Sequence, residues 1–258
     1  MGLRKRAHGL LKIARVSFLF LLSDGYAQSA DSWKIDVAPY LWAINMNGHV
    51  QVGPAKLSVS QSFSDIMKHF QGGGMLWLNA HKGKFGVFSN LLYSVLQDHQ
   101  TIDAINISAH NNFGIFSAGV SYEVLRKINA NQVSQLAIEL LAGARTTLNN
   151  TTLHVDQYSF TDNQNWTDPI IGARATYDIN KKWQVTGVGD IGGINNHNSY
   201  DLQGYIGYKP TKPLIFDDLT LYLGYRLLHQ KYTTGSGLTF YAWNMTISGP
   251  VLGLKVAI

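Results

Sequence analysis

A chain of 258 residues with 25 Gly, 13 Tyr, 11 Phe, 6 Trp, no Cys and only 14% charged residues departs from ordinary soluble domains, which carry about 25% charge. With 45% apolar residues it is not a disordered chain, and without cysteine it is not a disulfide scaffold. The formal charge of +5 invites a nucleic-acid partner only until it is divided by region: Arg4, Lys5, Arg6, Lys12 and Arg15, opposed by Asp24 alone, lie in the first 27 residues, and the remainder holds 16 bases against 15 acids.

The first predicted element is a leader. Residues 1–15 are basic and free of acids, Val16 to Leu22 form a short apolar core, and Gly25-Tyr26-Ala27 set small residues where a signal peptidase cuts. A signal peptide over 1–27 followed by one domain over 28–258 is the expected organisation; cleavage after Ala30, or a basic amphipathic helix, are the alternatives. No later run reaches about 18 apolar residues, so no helix of the mature chain is expected to cross a bilayer.

From residue 32 onward the sequence alternates with a period of two, in segments of about 10 to 14 residues. These exceed globular strands and suit a tilted strand that crosses a membrane. Ten fall near 33–45, 73–82, 85–96, 113–127, 133–147, 168–180, 183–194, 199–209, 217–231 and 243–258; residues 49–60 and 151–160 would raise the count to twelve. Within them the faces differ in chemistry. Leu136, Ile138, Leu140, Ala142 and Ala144 oppose Gln135, Glu139, Gly143 and Arg145. Ile171, Ala173, Ala175, Tyr177 and Ile179 oppose Arg174, Thr176 and Asp178, and Leu219, Leu221, Leu223, Tyr225 and Leu227 oppose Thr220, Tyr222, Gly224, Arg226 and Gln230. A soluble sandwich would wet its polar faces with more charge than this chain has, whereas a barrel in lipid turns apolar side chains outward and its few charges inward. The predicted fold is therefore all-β: an antiparallel transmembrane β-barrel of ten strands, with twelve as the alternative.

The connections sort into two kinds. Short basic turns are expected at Lys82-Gly83-Lys84, Arg126 to Asn129, Asn180-Lys181-Lys182 and Lys209 to Lys212, and long polar loops at 46–72, 97–112, 148–167, 193–198 and 232–242. In outer-membrane barrels the short turns are periplasmic. In the first loop, Phe63, Ile66, Met67 and Phe70 share a helical face, and Ser62 with Asp65 forms a capping arrangement, which predicts a short amphipathic helix over 62–70, either plugging the mouth or packing on the rim.

Several stretches carry a resemblance: Ala38-Pro39-Tyr40-Leu41-Trp42, Ser62 to Ile66, Trp166 to Arg174, Gly189-Asp190-Ile191-Gly192-Gly193, Gly224-Tyr225-Arg226 and Gly249 to Leu254. Together they resemble a family of uncharacterised bacterial (proteobacterial) outer-membrane β-barrel proteins, over nearly all of the mature chain. The resemblance implies an architecture, a place in the outer membrane of a Gram-negative bacterium and assembly by the barrel assembly machinery, but no substrate. Such barrels usually end in Phe; this chain ends in Ile258, which is apolar and in phase.

The inward faces collect Lys34, Asp36, Glu123, Glu139, Arg145, Arg174, Asp178, Asp190, Asp201, Lys209, Arg226 and Lys255, six acids and six bases. A balanced set suits a cross-linked interior better than a charge-selective channel. Its expected lumen network is Arg145, Arg174 and Arg226 against Glu139, Asp178 and Asp190. Gly187-Val188-Gly189-Asp190-Ile191-Gly192 matches a dinucleotide glycine motif formally, but no helix follows it, so it reads as a strand. His197 and Ser199, two apart near the outer surface, form the one weak catalytic pair, with Asp201 or Asp190 to orient the His. The nine His show no metal-ligand spacing, so no metal and no cofactor is expected. Trp33, Trp42, Trp77, Trp166, Trp183 and Trp243 fall near strand ends, as in an interfacial belt. The expected function is non-enzymatic: a porin-like small pore, or an envelope and surface interaction protein. Its expected partners are outer-membrane lipids, lipopolysaccharide and, where the lumen is open, a small solute. An outer-membrane lipid A or phospholipid acyl hydrolase is the alternative.

Overall fold

The computed structural model describes residues 32–102, 105–129, 134–155, 158–211 and 218–258; the expected signal peptide lies outside them. In chain order the elements are β1 (Lys34–Trp42), β2 (Asn45–Val52), β3 (Ala55–Gln61), α1 (Phe63–His69), β4 (Phe70–Lys82), β5 (Phe85–Ile102), β6 (Ile105–Ile128), β7 (Gln135–Val155) and β8 (Tyr158–Asp178). Then come β9 (Trp183–Gly192), β10 (Asn198–Tyr208), β11 (Leu219–Thr234), a 3-10 turn at Gly237–Thr239 and β12 (Tyr241–Ala257). Each strand from β4 to β12 pairs antiparallel with the next, and β12 closes the ring against β1 over its lower half and β2 over its upper half. β1 and β2 are thus one stave, bent at Ala43 and Ile44. Gly249 lies opposite the bend, where a Cβ would collide with the Ala43 carbonyl. The wall has ten staves, as the alternation predicts.

Two of the expected additions resolve differently. Residues 49–60 do form strand, as the β2–β3 hairpin, but β3 pairs with β2 alone and lies outside the ring of staves. Residues 151–160 lengthen β7 and β8 instead of adding a stave. The expected loops at 97–112 and 148–167 are therefore corrected to strand: β5 with β6, and β7 with β8, stay paired to Ile102↔Ile105 and Val155↔Tyr158. Above the lipid neither face needs to be apolar, so these extensions lack the alternation that marks a membrane strand, and their Thr and Asn ladders look like loop. Thr146 meets Thr167 at 2.9 Å, Thr152 meets Thr161 at 3.2 Å, and Asn111 donates to Asn149 at 2.8 Å. The β9–β10 connection falls where expected, over Gly193 to His197, and with five residues is short beside the β5–β6 and β7–β8 hairpins. The rim is consequently tall at β5–β8 and low at β9–β10.

The outer wall is apolar: Leu41 is 71% exposed, and Ile171, Ile191 and Leu223 are nearly as bare. Arg145 and Asp201 inside the barrel are each 1% exposed. This inversion of the soluble pattern is stable only where the outside is hydrocarbon. No helix among the described residues is long and apolar enough to cross a membrane; the strands form the wall.

α1 begins where predicted. Ser62 caps it by accepting from the Asp65 backbone, and the Asp65 carboxylate accepts from the Ser62 backbone and hydroxyl. Its expected common face is split, however: Ile66 packs on the interior cluster, while Phe63, Met67 and Phe70 remain exposed, and Phe70 is the C-cap rather than a helical residue. The helix bridges β3 to β4 beside a seam. The β1–β4 ladder stops at Pro39↔Leu76, where proline has no N–H to donate, and from Phe70 to Met75 β4 pairs with β5 only. Beyond the stop, the Trp42 backbone N–H donates to the Met75 sulfur at 3.1 Å.

The barrel lumen as candidate functional site

Strand parity places the inward charges, and register decides their partners. Asp201 on β10 sits directly opposite Asp190 on β9. Two facing carboxylates repel unless cations intervene. Arg145 reaches from β7 to hold both oxygens of Asp190 at 2.7 and 2.8 Å and Asp201 at 3.3 Å, and Arg226 on β11 grips Asp201 at 2.6 Å. The remaining donors are also used. Arg226 donates to Asn90 at 3.1 Å and Tyr40 at 3.3 Å, and Arg145 to Ser117 at 3.2 Å and Ser199 at 3.4 Å. These bonds cross the lumen from β5 and β6 to β9, β10 and β11.

Nearer the short turns the same device recurs. Glu123 on β6 faces Glu139 on β7. Arg174, Glu139's register partner on β8, pairs with it at 2.7 Å, and Arg126 pairs with Glu123 at 2.8 Å. Three residues apart, Glu123 and Arg126 would point to opposite faces of a regular strand; a bulge between Glu123 and Leu125 brings them together. Asp178, expected to pair with an arginine, instead accepts from Gln184 at 2.6 Å. Of the expected network, Arg145 and Asp190 come together, as do Arg174 and Glu139, while Arg226 takes Asp201 as its carboxylate.

Above the Arg145–Asp201 layer the lumen is filled by a cluster that includes Trp42, Leu92, Ile115, Trp166, Trp243 and Ile247. Trp166 stacks on Tyr232 at 4.4 Å, and the Arg226 guanidinium lies over the Trp42 ring at 4.6 Å, tying the ionic layer to the aromatic one. This corrects the expected tryptophan belt. Trp33 and Trp183 are exposed, but Trp42, Trp166 and Trp243 are buried in the lumen and Trp77 lines a cavity. Trp42 shares parity with Asp36 and Tyr40, the signal that marks it as inward.

Below the ionic layer the lumen opens into a cavity of about 280 Å³ that reaches the short-turn rim at Gly83, Lys84 and Arg126. At the opposite, low rim His197 meets a carboxylate, but not the expected one. Its Nδ1 lies 3.0 Å from Asp168, because Asp190 and Asp201 are engaged by Arg145 and Arg226. Ser199 is 4% exposed with its hydroxyl against Arg145, and no hydrogen bond joins it to His197 among the described residues. Asp168 was not singled out in the sequence; the parity it shares with Arg174 and its register with Arg145 are the only signals. Among the described residues no group of three or more His, Asp or Glu is placed to hold a metal ion.

No family model matches the sequence, and no curated protein is significantly similar to it. Among solved structures, the outer membrane protease OmpT of Escherichia coli superposes with a TM-score of 0.53 at 10% identity, over 91% of this chain and 99% of that one. Ail, the attachment invasion locus protein of Yersinia pestis, gives a TM-score of 0.36 at 10% identity over 88% and 99% of the two chains. Neisserial surface protein A gives 0.29 at 11% identity over 88% and 97%. The chain has the fold of the bacterial outer-membrane β-barrels.

Proposed function

We propose that this chain is an outer-membrane protein with a sealed lumen, which acts through the surface its tall hairpins present outside the cell and not as a pore. The observation that carries this reading is the middle of the barrel, where Trp42, Arg145, Arg226, Leu92, Ile115 and Ile247 are all nearly devoid of exposure. Two stacked fillings, one ionic and one aromatic, leave mid-height to side chains. With the short turns and termini in the periplasm, as in other such barrels, the β5–β6 and β7–β8 hairpins point outward. Planar bilayers holding the refolded protein are expected to remain silent; stepwise conductance overturns the sealed lumen. An epitope inserted in the β7–β8 connection, between Val155 and Tyr158, should bind antibody on intact cells, and labelling only after permeabilisation overturns the orientation.

The hydrolase alternative has less support. Nucleophilic catalysis needs the base within hydrogen-bond reach of the hydroxyl. Asp168 at the His197 Nδ1 is placed as an orienting acid would be, but the Ser199 hydroxyl is held by Arg145 and no hydrogen bond joins it to His197 among the described residues. Ser199→Ala and His197→Ala are expected to leave fatty-acid release from outer-membrane lipid at the background of the unmodified protein; activity that disappears in both variants restores that reading.

A further inference from the structure

We propose that the cavity at the short-turn end of the lumen binds a single neutral pyranose sugar. The arginines and Lys255 that line this cavity are matched: Arg174 by Glu139 at 2.7 Å, Lys255 by Asp36 at 3.5 Å and, at the rim, Arg126 by Glu123. An anion would have to break one of these pairs and leave a buried carboxylate uncompensated, which is costly in a low-dielectric lumen, while a cation would meet only Asp178, which Gln184 already holds by one oxygen. A neutral ligand leaves all three intact.

The walls then specify the kind of neutral molecule. Trp77, Tyr205 and Tyr222 give aromatic surface, with Tyr205 and Tyr222 edge to face at 6.4 Å. Between them stand Gln135, Thr176 and Thr186, whose side chains make no hydrogen bond among the described residues. Asp178 uses one oxygen on Gln184 and keeps the other for a hydroxyl. Aromatic surface beside unused amides, hydroxyls and a carboxylate oxygen suits a ligand with a C–H face and a rim of groups that both donate and accept. A pyranose has that form. At about 280 Å³ the cavity takes one ring, near the small end of the roughly 300–1,000 Å³ of ligand pockets, and the Arg145–Asp201 layer above it makes it blind. The site does not depend on the surface role proposed above.

The test uses the refolded barrel in an amine-oxide detergent, since glycoside detergents carry the ligand class. D-glucose and N-acetyl-D-glucosamine are titrated while tryptophan emission is followed, with lysine, succinate and glycine betaine as charged or zwitterionic rivals. A saturable change with at least one sugar is expected at about 1–10 mM. Thr176→Val with Thr186→Val should weaken it about fivefold or more. Val188→Phe fills the cavity without removing a polar contact and should abolish binding. Heat-dependent gel mobility reports whether each variant folds, and Gln135→Leu replaces the double variant if that one does not. Saturation by neither sugar, tighter binding of a charged rival, or sugar binding unchanged in the folded variants overturns the proposal. Conductance and sugar binding are read separately, so the sealed lumen and the sugar site fail independently.

Discussion

At the scale of residues, the lumen is organised around carboxylates that face each other across strands, Asp190 with Asp201 and Glu123 with Glu139. Each facing pair is tolerable only with its two guanidinium partners in place. Removing one member of a buried pair costs about 3–5 kcal/mol, because the other is left charged and unpaired. Arg226→Met should therefore lower the unfolding free energy by about that much, whereas Asp201→Asn combined with Arg226→Met should lose less than Arg226→Met alone; denaturant titration of the folded barrel checks both. The arginines were legible from parity. Their partners were not, because a strand's own sequence does not state its register with its neighbour. For the same reason Asp201, the partner of Arg226, stands outside the expected network, and so does Asp168 beneath His197.

At the scale of elements, α1 shows what a local rule can specify. A hydroxyl at Ser62 and a carboxylate three residues on are sufficient to start a helix. The Ser62 hydroxyl, donating at 2.6 Å, and Lys68 at 2.9 Å hold the Asp65 carboxyl at about 2, below its ordinary 3.8. A lowered carboxyl contributes stabilisation that is complete above the unfolded value and is lost as pH falls through the folded one. Loosening of α1 is thus expected between about pH 4 and 2. A dye on Met67→Cys, in a chain with no other cysteine, should report it. Adding Asp65→Asn should flatten the profile. Which residues of the helix turn inward was less legible than its start, since one amphipathic face does not reveal whether lipid or protein covers it. The tall hairpins posed the opposite difficulty: beyond the lipid, strand pairing persists with polar residues on both faces, so periodicity no longer distinguishes strand from loop.

At the scale of the whole molecule, ring closure joins the two ends of the described chain. Ile35 and Ile258 exchange backbone hydrogen bonds at 3.2 and 2.8 Å, and β12 meets β1 from Trp42↔Val251 to Asp36↔Ala257. Removing residues 251–258 takes away this pairing. The truncated chain should migrate as unfolded protein in unheated gels, whereas Ile258→Phe should migrate as the intact barrel does. The number of staves was legible because lipid imposes one rule on every strand. A cross-linked interior was legible from the balance of inward charges; the aromatic filling above it was not, because inward residues obey packing, for which no period exists.

The ladder that ends at Pro39↔Leu76 gives this closed wall a direction of weakness. A ring stitched along nearly all of its length yields first where the stitching stops, and β4 from Phe70 to Met75 is held from one side only. Native-state hydrogen exchange should find the amides of this stretch opening ahead of those on β6 and β7, whose ladder runs from Ile107↔Val155 to Ile128↔Gln135. The barrel would then unfasten like a garment at this seam, with α1 as the clasp beside it.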